Sequence, residues 1–95
     1  MAYEPTESDI RWLKNLVKSL NLGGTWVAPM GFAFKKTAEK RLELYSITAT
    51  SLQAAAEIKA NLEGTVEVGK AAGIEVVIEG CAEYALLVLN WGERP

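Results

Sequence analysis

The sequence contains no histidine, and that absence narrows its chemistry more than any motif it holds. Histidine is the usual general base, the commonest metal ligand and the base of nucleophilic triads, so three large classes of active site lose their central residue together. Cysteine occurs once, at Cys81. It cannot form an internal disulfide, which fits a reducing compartment. Its neighbours Glu79 and Glu83 disfavour a thiolate, so it reads as a turn or core residue and not as a nucleophile. Aspartate also occurs once, at Asp9. The longest unbroken apolar run, Tyr84 to Leu89, is too short to span a bilayer. The start, Met1-Ala2-Tyr3-Glu4-Pro5, has neither the basic residues nor the apolar run of a secretory leader, so a soluble protein of the cytoplasm is expected. Gly23-Gly24 follows a helix pattern, whereas a phosphate-cradling glycine loop precedes one. No metal site and no cofactor is expected.

What is present is ordinary for a globular chain. Ninety-five residues, 49% apolar and 23% charged, fit one domain over 1–95, with 1–5 and 92–95 expected to fray. The net charge of −2 argues against a surface that binds nucleic acid by bulk charge. Residues 1–56 carry seven basic and five acidic side chains; residues 57–95 carry three and seven.

Thr6 and Asp9 form a capping-box pair, and Ile10, Leu13, Leu16, Val17 and Leu20 recur at helical spacing, with Trp12 off that stripe. The helix ends at Asn21 and Gly23-Gly24. Thr25 to Phe34 alternates as a strand, interrupted by Pro29 and Gly31, which suit an edge strand or a bulge. Lys35 to Lys40 reads as a polar loop. Arg41 to Thr48 reads as a strand, with Leu42 and Leu44 on one face and Tyr45 and Ile47 on the other. Thr50, with Gln53, opens a second helix. It either stops near Glu63, leaving Thr65–Val68 extended, or runs on to a stop at Gly73; the Ala71-Ala72-Gly73 ending before a β-branched run favours continuation. Ile74 to Glu79 alternates as a strand, and Tyr84 to Trp91 reads as a last strand, apolar on both faces. The expectation is an α+β fold in the order α-β-β-α-β-β, a four-stranded, mainly antiparallel sheet with two helices on one face.

Four groups of residues deserve comparison as sites. Trp26, Met30 and Phe32 beside Lys35, Lys36, Lys40 and Arg41 resemble a platform for a single-stranded nucleic acid or an anionic aromatic ligand, but the favoured reading is a strand core next to a solvated loop. Leu87, Leu89 and Trp91, with Val77, would leave an apolar sheet face that one layer of helices cannot cover. Glu75 and Glu79 share an outward face without a visible cleft. Cys81 is the fourth. The functional expectation is a small interaction protein, a homodimer binding a protein partner through an apolar sheet face or the Trp26–Phe32 edge, with Leu87, Leu89 and Trp91 at the interface. The alternative is a small-molecule-binding module lined by Trp26, Met30, Phe32, Tyr45 and Trp91. An enzyme working through Tyr45, Lys35 or a glutamate is the least favoured reading.

Overall fold

The computed structural model describes residues 4–92, with side chains described as far as Leu89. Helix α1 spans Glu7–Ser19 and begins as its sequence dictates. The Thr6 hydroxyl accepts a hydrogen bond from the Asp9 backbone N–H, and the Asp9 carboxylate accepts one from the Thr6 N–H. Strand β1 (Thr25–Ala28) pairs antiparallel with β2 (Phe32–Ala38), and β2 pairs antiparallel with β3 (Arg41–Ile47). Helix α2 runs Leu52–Ala72 and leads into β4 (Glu75–Val77), which lies parallel to β3. A short helix α3 (Ala82–Leu86) continues as a π-helical segment, Leu87–Gly92. The sheet order is β1-β2-β3-β4, so the fold is α+β in the order α-β-β-β-α-β-α.

The parallel pairing follows from the length of α2. Twenty-one helical residues rise about 30 Å, enough to carry the chain back past the seven residues of β3 to that strand's starting end. The helix does continue past Gly64 and stops at Gly73, whose φ of 74° is the left-handed cap that glycine accepts without strain. It is capped at its start by Ser51, one residue later than expected, whose hydroxyl accepts from the Ala54 N–H. At its far end α2 comes very close to β4. A Cβ on Gly69 would sit 2.6 Å from both the Ile74 carbonyl oxygen and a Val76 methyl group.

The core lies between one face of the sheet and the helices. Trp26, Ala28, Phe32, Phe34, Leu42, Leu44 and Val76 pack with Leu13 and Val17 of α1, with Ala55, Ile58 and Leu62 of α2, and with Tyr84 and Leu87 at the C-terminal end. On the opposite face Val27, Lys35, Tyr45 and Glu75 are exposed.

Three expectations from the sequence need correction. The stretch Thr25–Phe34 is two strands, because Pro29 and Gly31 turn the chain: Gly31 has φ 102°, and its N–H bonds the Ala28 carbonyl at 3.2 Å. The stretch Lys35–Lys40 is not a loop. Strand β2 runs to Ala38, and only Glu39 and Lys40 turn. The last segment is helical and not a strand. Tyr84, Leu87 and Val88 face the core at helical spacing, and the run Ala82–Leu87, free of β-branched residues, favours a helix over a strand. The expected second hairpin is therefore a lone parallel strand followed by a helix. A smaller correction concerns Ile47. The β2–β3 register shifts between Ala33 and Phe34, so Tyr45 and Ser46 together oppose Ala33, and this bulge returns Ile47 to the core side.

Candidate functional site

The residue that ties the sheet edge to the helix layer is Trp12. It lies off the buried stripe of α1, which holds Leu13 and Val17, and its ring meets Trp26 edge-on at 5.4 Å. Trp26 meets Phe32 at 6.2 Å, and Phe32 meets Phe34 at 5.8 Å, each again edge to face. These are favourable geometries for aromatic quadrupoles, worth about 0.5–1.5 kcal/mol per pair beyond burial. The chain runs from Trp12, 44% exposed, to Phe34, fully buried. It links the molecular surface at the β1 edge to the centre of the core.

On that side of α1 the charged residue beside Trp12 is Asp9, whose carboxylate is engaged in the N-terminal cap. Helical periodicity places Ser8, Asn15 and Ser19 in one stripe with Trp12. Glu7, Arg11, Lys14 and Lys18 form a second stripe, on the other flank of the buried one. Strand β1 itself, Thr25-Trp26-Val27-Ala28, is uncharged, and Leu22, Val27 and Met30 around it are exposed. As the first strand in the sheet order, β1 has a strand neighbour on one side alone among the described residues. The other edge differs. Strand β4 is three residues long, its Glu75 carboxylate meets the Arg41 guanidinium at 3.2 Å, and Arg41 also pairs with Glu43.

The other residues marked from the sequence fall in separate places. Trp26 is half-buried, Phe32 is buried, and Met30 is exposed in the turn between them, so these three do converge on the β1 edge. Tyr45 lies on the open face of the sheet and joins no aromatic group among the described residues. The Trp91 side chain lies outside the described residues. Leu87 is buried in the core, whereas Leu89 is exposed beside the exposed Leu86. The basic run disperses. Lys35 is exposed on the open face, Lys40 sits in the turn, and Arg41 is held in its ion pairs.

Lys36 is the surprise. It is buried, and its ammonium donates to the Val17 carbonyl at 2.9 Å and the Leu20 carbonyl at 3.0 Å. A cation there adds a donor to the last carbonyls of α1, of which that of Val17 also accepts from the Leu20 N–H, and opposes the negative end of the helix dipole. The sequence signal was available: position 36 shares the strand face of Phe32 and Phe34.

Cys81 is buried, and its thiol donates to the Glu83 carboxylate at 3.3 Å. Burial above all, with Glu83 adding to it, pushes the thiol above its ordinary value, the opposite of what a nucleophile needs. Burial and the nearby Glu63 carboxylate, 3.5 Å from its hydroxyl, likewise raise Tyr84. Glu79 falls beyond the end of β4, and Glu75 is engaged by Arg41, so the two glutamates form no pair. Among the described residues no three of Cys, Asp and Glu are placed to hold a metal ion, and no helix is long and apolar enough to cross a membrane. Among the described residues, shallow clefts open with about 230 Å³ along α2 at Ala60, Asn61, Gly64, Thr65 and Val68, and about 300 Å³ between α1 and the β2–β3 turn. Comparison with protein-family models, with curated proteins and with solved structures gives no match.

Proposed function

We propose that this chain is a self-associating interaction module of the cytoplasm, and that β1 of one protomer pairs antiparallel with β1 of a second copy. The observation that carries the reading is the uncharged edge: β1 without Lys, Glu or a proline inside it, next to the Trp12 stripe of α1. Protein edges are commonly guarded by charge, and the cores of protein interfaces are depleted of charge and enriched in aromatic residues.

A second copy is the occupant favoured by geometry. An antiparallel strand pair is self-complementary about a two-fold axis, so one surface serves both partners. In such a pair Val27 meets its counterpart on the open face, and Trp12 and Trp26 meet theirs on the helix side. With no charged side chain on β1, no like charges are forced together. The interface expected from the sequence at Leu87, Leu89 and Trp91 moves to Trp12, Trp26, Val27 and Met30, because Leu87 is spent inside the core.

The test is Val27→Lys. Val27 is 72% exposed, so the substitution leaves the protomer folded while placing an ammonium on the edge. Wild-type protein is expected to sediment as a dimer at tens of micromolar and the variant as a monomer with an unchanged far-UV CD spectrum. A wild-type monomer at that concentration overturns the reading.

A further inference from the structure

The larger cleft has a character that the β1 edge does not. It is lined by Lys14, Val17 and Lys18 of α1, by Glu39 and Lys40 of the β2–β3 turn, and by Ala72 and Ile74 around the end of α2. None of the three lysines makes an ion pair among the described residues. Three lysines therefore line this cleft against the one carboxylate of Glu39, in a chain whose net charge is negative.

The floor is of the opposite kind. Val17 and Ile74 are buried, and Ala72 is half-buried. Cationic rims over low-dielectric walls concentrate the field and hold anions more firmly than exposed lysines do. Lysine recognises phosphate as a point charge, without the planar fork that would demand one orientation. A volume of about 300 Å³ accommodates a small ligand and not a polymer.

We propose that this cleft binds a small organic phosphate, with the phosphoryl group held by Lys14, Lys18 and Lys40 and the apolar body laid on Val17, Ala72 and Ile74. The site is independent of the dimer interface. The charged stripe of α1 that supplies Lys14 and Lys18 lies on the opposite flank of the helix from the Trp12 stripe, so either proposal survives the failure of the other.

The experiment is an amide chemical-shift titration of the full chain with phenyl phosphate, inorganic phosphate and phenol. Phenyl phosphate is expected to shift Val17, Lys18, Lys40 and Ile74 saturably, at least tenfold more tightly than either fragment. The pair Lys14→Gln with Lys18→Gln is expected to weaken it at least tenfold. Lys40→Gln alone should weaken it severalfold. Lys70→Gln, at a surface lysine paired with Glu67 outside the cleft, should leave it unchanged. Shifts that do not saturate, equal binding of inorganic phosphate, or an equal loss in Lys70→Gln would each overturn the proposal, the last by showing attraction to bulk charge alone.

Discussion

The two edges of this sheet are built in opposite ways. The β4 edge is three residues long and carries Glu75 in an ion pair with Arg41. The β1 edge has four uncharged residues, its ladder is prolonged by the Lys36 N–H to Gly24 carbonyl bond, and exposed Leu22, Val27 and Met30 surround it. An edge strand offers a row of unpaired backbone groups, and charge or shortness is the usual defence. One edge of this molecule is defended by both, the other by shortness alone. That asymmetry teaches where to look for association.

The largest effect should come from the inner end of the aromatic chain. Phe34→Ala empties the centre of the core and should cost about 3–5 kcal/mol, read from the urea midpoint. Next is the connection that holds β1 in place. A Cβ at Gly31 would lie 2.6 Å from the Thr48 carbonyl oxygen, at a φ that L residues rarely adopt. Gly31→Ala should cost about 1–3 kcal/mol and weaken any dimer with it. Trp12→Ala, at the outer end of the chain, should lower protomer stability little but weaken dimerisation about tenfold, near 1.4 kcal/mol, in a dilution series. Arg41→Ala, at the guarded edge, should cost under about 1 kcal/mol because its ion pairs are partly solvated, and should leave the dimer constant unchanged.

Alkaline pH separates the two regions in another way. Cys81 and Tyr84 hold their protons more firmly in the folded chain than in the unfolded one. As pH rises past the ordinary thiol value of 9.0, the unfolded chain ionises first, so stability is full below that value and declines above it. Denaturation midpoints across that range should fall, and Cys81→Ala should flatten part of the decline. Strand β1 has no titrating side chain, so dimerisation measured before unfolding begins should stay constant.

Much of this architecture was legible in the sequence. The Thr6–Asp9 cap, the α1 stripe, the long second helix and its glycine stop follow from local rules of capping and periodicity. The errors arose where tertiary context decides. Tyr84–Leu89 is apolar all round, and a short run of that kind is helix or strand according to what it packs against. The bulge at Tyr45 shifts the face of Ile47 without a mark in the alternation. Lys36 reads as a loop lysine until the carbonyls at the end of α1 are seen beside it. For the candidate site, Trp26, Met30 and Phe32 were legible as a group. Trp12 was visible only as a misfit on its helix, since a contact between α1 and β1 has no sequence period.

Sedimentation equilibrium of the wild-type chain beside Val27→Lys, at the same protein concentration and at two ionic strengths, bears most directly on the uncharged edge. Wild type should show twice the protomer mass at both salt concentrations, because no charge pair holds the contact, and the lysine variant should show the protomer mass. A wild-type chain at protomer mass, or a Val27→Lys chain still at twice that value, would contradict the account.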